Sequence, residues 1–179
     1  MTKIIGSKQT FLEADNETAM EFLNTVADIT RVPEYRKLME YTHHNSTTRF
    51  QHCLNVAWYS FLWCKNGNLD YVSAARGGML HDFYLYDTKE FRKTGASHNV
   101  VHPRQALSNA KKYFEVNEIM EDCILNHMWP SGKGKPHTVE GFVVSAADKY
   151  CASLEWGSKK AQQIVPLIRE LIGEGDEEQ

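Results

Sequence analysis

Apolar residues recur at helical spacing along almost the whole chain, and no run of five residues alternates in the strict manner of a half-buried strand. Met20, Leu23 and Ala27, with Phe22, Val26 and Ile29, form one broad stripe over residues 17–29, which predicts an amphipathic helix. Pro33 suits a first helical turn and opens a short helix through Tyr41. Thr48 and Gln51 have the spacing of a reciprocal capping box, so the next helix starts there and runs to about Lys65. Asn66-Gly67-Asn68 ends it. Asp70 stands near the following start, and Val72, Ala75, Met79 and Leu80 carry that helix into His81-Asp82.

Residues 82–101 mix aromatics, charges and Gly95 without a clean period and read mostly as loop. Helices follow from Pro103 to about Phe114, Asn117 to His127, Val139 to Trp156 and Lys160 to Ile172, with a Gly, Lys and Pro loop over 129–137. The β-branched run from Val139 to Ser145 reads as buried helix because it continues through Ala146, Ala147 and Ala152. An all-α bundle is expected, as one domain over 1–172 whose motif core spans about 47–155, with a disordered acidic tail over 173–179.

With 42% hydrophobic residues in a chain of 179, folding buries roughly 70% of the extended-chain surface, so stability requires no disulfide or structural metal. The formal charge of -3 is partly a tail effect, and Lys and Arg are not clustered, which argues against a duplex nucleic-acid partner. Met1 to Ser7 lacks a signal-length apolar core, and the longest apolar stretch, 56–64, is far short of the ~20 residues that span a bilayer. Cys53, Cys64, Cys123 and Cys151 form no C-x-x-C pair and read as reduced core thiols. A soluble cytoplasmic protein without a membrane partner is expected.

Of the eight histidines, His52, His81, His102 and His127 lie at predicted helix ends, and Asp82 and Asp148 accompany them. Asp148 sits among Val143, Val144, Ala146 and Ala147, where a carboxylate is costly without a cation or donors. Imidazoles and carboxylates together suit divalent ions if the helix ends face one centre.

This set resembles the HD-domain metal-dependent phosphohydrolases, through His52 in RFQHCLNVA, His81-Asp82 in GGMLHDF and Asp148 in VSAADKY, separated by 29 and 66 residues. The resemblance implies that His52, His81, Asp82 and Asp148 bind one metal. A subset of the family adds two histidines and a second ion. His102 in HPRQALSNA and His127 in CILNHMWP resemble that pair, with Asp82 then bridging. His98 competes with His102, which is preferred for its place before a Pro-started helix. His43, His44 and His137 read as loop residues, solvated or near the mouth.

Phosphate esters hydrolyse very slowly, so a catalyst must supply a nucleophile at neutral pH and neutralise phosphoryl charge. One or two divalent ions (Fe, Mn, Ni, Zn or Mg) would do both, with Asp82 as the catalytic residue orienting the nucleophile or taking its proton. Arg49, three residues before His52, is expected to reach a substrate phosphate, and a surface ion pair is its plainer explanation. Lys133 and Lys135 in SGKGKP are expected phosphate clamps, or else a solvated basic loop. Arg104 and Lys149 neighbour ligands but turn by ~100° from them. Relatives often place a Lys two or three residues after the pair, whereas here the first is Lys89. Phe83, Tyr84 and Tyr86 would instead wall a base, or simply pack.

The expected substrate is a nucleotide or similar small phosphorylated compound. Alternatives are a one-metal nucleoside monophosphate phosphatase, a silent metal- or nucleotide-binding module, and a di-iron oxygenase. Trp58, Trp63 and Trp156 offer a homodimer face, although helical spacing explains them equally as core.

Overall fold

A helix that is apolar on every side belongs inside a protein, and the segment from Arg49 to Asn66 is such a helix. In the computed structural model, which describes residues 16–43 and 47–155, it is α3 and is buried almost continuously from Arg49 to Phe61. Ahead of it come α1 (Asn16–Arg31), α2 (Pro33–Arg36), a 3-10 turn (Lys37–Glu40), and the two-residue strands β1 (Thr42–His43) and β2 (Thr47–Thr48). The strands are antiparallel, with Thr42 opposite Thr48 and His43 opposite Thr47. After α3 come α4 (Tyr71–Leu80), α5 (Thr88–Arg92), α6 (His98–Tyr113), α7 (Glu118–Asn126) and α8 (Val139–Glu155). The fold is all-α, as expected. The helix proposed over 160–172, Trp156 and the acidic tail lie outside the described residues.

Local signals account for the helix starts. Asp70 and Asn117 cap α4 and α7 by accepting from Ser73 N–H and Met120 N–H. Thr48 accepts from Gln51 N–H at 3.1 Å, but the Gln51 amide donates to Asn55 Oδ1 instead of turning back, so only half of the predicted box forms. A larger correction concerns α6. It begins at His98, capped by Ser97, and Pro103 lies inside it rather than at its start. Five residues of the segment read as loop, Thr88–Arg92, form α5 on the Asp87 cap.

Packing is aromatic on one side of α3 and small on the other. Phe22 of α1 meets Trp58 and Phe61 edge-on at 5.1 and 5.4 Å. Trp58 is fully buried, which makes it core rather than a dimer surface. Toward α4 the contact is backbone on backbone. A Cβ on Gly78 would lie 2.9 Å from Ala57 Cα, and one on Gly77 would lie 2.6 Å from Cys123 Cβ. These glycines let α4 wedge between α3 and α7, which fixes where its last residues emerge. Gly78→Ala is expected to lose about 1–3 kcal/mol despite better helix propensity, measured by urea denaturation. All four cysteines are buried and free. Among the described residues no helix is long and apolar enough to cross a membrane.

Candidate metal centre

The wedge of α4 delivers His81 and Asp82 to the interior: His81 is fully buried and Asp82 is 5% exposed. His52 comes from the first turns of α3, His102 from the second turn of α6, His127 from the C-cap of α7 and Asp148 from mid-α8. All six sequence-predicted ligands therefore converge.

Their tautomers follow from their partners. A backbone carbonyl can only accept, so the ring nitrogens facing one must carry hydrogen. His81 Nδ1 donates to Gly78 O at 2.7 Å, His102 Nδ1 to His98 O at 2.7 Å and His127 Nδ1 to Ile124 O at 2.8 Å. Each ring, when neutral, thus presents a bare Nε2 lone pair. The Nε2 atoms of His102 and His127 face each other at 2.9 Å. Around them stands Asp82, with Oδ1 at 3.3 Å from His102 Nε2 and 3.6 Å from His127 Nε2, and Oδ2 at 3.9 Å from His81 Nε2. His52 Nε2 lies 3.1 Å from Asp148 Oδ1, and that oxygen is 3.8 Å from His81 Nε2.

Burial, together with the neighbouring imidazoles, pushes the His127 imidazole down to about 3. His81 is lowered as well, again chiefly by burial. His52 goes the other way: burial pushes it down, but Glu155 and Asp148 carry it well above its ordinary value. Burial alone would raise Asp82, yet the imidazoles of His81, His102 and His127 hold it well below the usual carboxylate range, and His52 does the same for Asp148. His81 Nε2 and Asp82 Oδ1 are buried without a hydrogen-bond partner among the described residues. Facing lone pairs and carboxylates repel unless a cation lies between them. The donor set of imidazoles and carboxylates fits a divalent ion.

Other expectations fare differently. Arg49 is 1% exposed, donating through Nη1 to Tyr84 O at 2.6 Å and through Nη2 to Tyr86 O at 3.2 Å, with its guanidinium 3.6 Å from the Tyr84 ring. It braces the chain after His81-Asp82 and offers no open face to a phosphate, which corrects its assignment as a substrate contact. Phe83 and Tyr84 are core residues. Tyr86 stacks on Phe91 at 4.5 Å and hydrogen-bonds His98 Nδ1, while the His98 ring stacks on His102 at 4.4 Å. Lys133 and Lys135 are exposed; Lys133 lines a cleft of about 270 Å³ with Arg104, Asn99 and Asn126. Lys149 turns back to donate to His127 O at 2.7 Å.

His137 is exposed and lies outside the cluster, beside Asp122. Asp122 also accepts from Asn126 Nδ2, from the N–H groups of His137 and Thr138 and from Thr138 Oγ1, tying the 129–138 loop to α7. Burial pushes this carboxyl up, but those donors, Thr138 first, hold it below its ordinary value. Because the folded value lies below the unfolded one, the tether stabilises fully above pH ~4 and fades as pH falls through the folded value. Asp122→Ala is expected to cost about 2 kcal/mol at neutral pH and to flatten that acid limb, read from unfolding midpoints across pH.

His43, expected in a loop, lies on β1 with its ring tilted against His52 at 4.3 Å, and one of its ring nitrogens lies within 4.8 Å of ligand atoms of His52 and Asp82. Glu155 is fully buried with Oε2 2.9 Å from His52 Nδ1. A helical period does carry a signal for Glu155: it follows Asp148 by seven residues, two turns along one face.

Searches of curated proteins and of solved structures return no significant match. The family model described as HD domain matches residues 49–153. That segment is more than half of the chain and spans all six clustered ligands from His52 to Asp148, so the protein belongs to the HD-domain superfamily of metal-dependent phosphohydrolases, whose members bind divalent metals and are generally hydrolases.

Proposed function

We propose that this protein hydrolyses a phosphoester or phosphoanhydride of a nucleotide or similar small phosphorylated compound, using two divalent ions. The observation that carries the reading is the disposition of Asp82: one oxygen faces the bare nitrogens of His102 and His127, the other faces His81. A carboxylate so placed suits a bridge between two ions, the first held by His52, His81, Asp82 and Asp148, the second by Asp82, His102 and His127. Bound there, the ions would supply a nucleophile from water at neutral pH and neutralise phosphoryl charge.

The chain's own residues would do the rest. Asp82 orients the nucleophile or accepts its proton. Arg104 and Lys133 have no ion pair among the described residues and share one cleft, where they suit the outer phosphates of a polyphosphorylated substrate. Lys135 is exposed in the same loop, with its ammonium 5.8 Å from the Phe142 ring.

Elemental analysis of protein purified without chelator tests the reading. About two ions per chain are expected, falling to one or none when His102→Ala and His127→Ala are combined, with phosphate release from nucleotides in the presence of Mn, Fe, Mg or Ni. One ion, unchanged by that double substitution, would leave a one-metal nucleotidase instead. Metal-dependent nucleotide binding without turnover would point to a silent binding module.

A further inference from the structure

We propose that Glu155 is the positioning residue for His52, holding its imidazole by Nδ1 so that Nε2 points into the cluster around Asp82. The proposal rests on the reading that this cluster holds a divalent cation. Three of the four clustered imidazoles are anchored by carbonyls three or four residues earlier in their own helices. His52 is anchored differently: its ring leans from α3 to the end of α8, where Glu155 Oε2 and Oε1 lie 2.9 and 3.1 Å from Nδ1.

The carboxylate is built in rather than incidental. Both side chains are fully buried. Asn55 Nδ2 donates to Glu155 Oε1 at 3.2 Å, and Gln51 Nε2 donates to Asn55 Oδ1 at 2.9 Å, so a polar chain runs along one face of α3 to reach it. Burying a carboxylate is costly where a leucine would fill the space, and Glu155 reaches the clustered imidazole of His52 with both oxygens. A carboxylate behind an imidazole fixes the ring and makes its far nitrogen a better donor to a metal. From the same face of α8, Asp148 Oδ1 meets His52 Nε2 at 3.1 Å. One helix thus contributes a candidate ligand and orients another.

The test uses the full chain as wild type, Glu155→Gln and Glu155→Ala, with Mn2+ and Co2+ as probes. Affinity is read by chelator competition, the site by the visible spectrum of bound Co2+, and folding by melting of the metal-free protein. Expected are roughly 10- to 100-fold weaker binding in Glu155→Ala, a smaller loss in Glu155→Gln, which keeps an oxygen for Nδ1–H, and a changed Co2+ spectrum, with the metal-free melting of Glu155→Gln close to wild type. If both variants bind like wild type, or only melting changes, Glu155 is structural and the proposal is overturned. If wild type itself binds neither ion, the reading of the cluster fails first, and that result is visible before any variant is made.

Discussion

Asp82→Asn is expected to abolish turnover of the phosphorylated substrate, by roughly 10³-fold or more, while leaving the fold in place. Asparagine matches aspartate in size, so the close approach of α4 to α3 is undisturbed. The substitution removes the one charge that faces both nitrogen sets at once. Its neighbours are the Nε2 atoms of His81, His102 and His127, at 3.9, 3.3 and 3.6 Å. Bound metal is expected to drop together with turnover, because the carboxylate that faces both nitrogen sets is gone. Metal analysis, phosphate release and metal-free melting check it together. Full metal content with full turnover would remove Asp82 from the chemistry.

Arg49→Ala should give the largest loss of stability, about 3–5 kcal/mol. A buried guanidinium disappears from between the rings of Tyr41 and Tyr84, 4.6 and 3.6 Å away, and the carbonyls of Tyr84 and Tyr86 lose their donor. Arg49→Lys should recover less than half, since one ammonium cannot fork across two carbonyls and stack as well. Chemical denaturation measures both. If Arg49→Ala folds as stably as wild type yet raises KM sharply, the side chain meets substrate after all.

Sequence periodicity was enough for the helices that bury one face or carry a side-chain cap, such as α1, α4 and α7. It failed for α6, whose Ser97 cap makes no side-chain hydrogen bond and whose Pro103 mimics a first-turn proline. The six clustered residues are legible through the ordered set of His52, His81-Asp82, His102, His127 and Asp148, which carries the family resemblance. Arg49 was misread for a reason of direction: spacing places it one turn from His52, but only the path of residues 84–88 shows that its guanidinium has carbonyls to satisfy. For Glu155 the sequence offers one signal, its place two turns after Asp148 on the same helix face, but only the packing of α3 against α8 shows that His52 is what it meets.

The order of synthesis gives the α8 contacts a further meaning. His52 meets Asp148 across 96 residues and Glu155 across 103. A nascent chain therefore carries His52, His81 and Asp82 well before the residues that complete their surroundings leave the ribosome. Such distant closure is a slow, late event in folding. The cluster cannot act as a seed around which the helices gather. Its capacity to hold an ion is a report that α8 has docked, so metal uptake by newly made protein should trail synthesis and mark the finished fold.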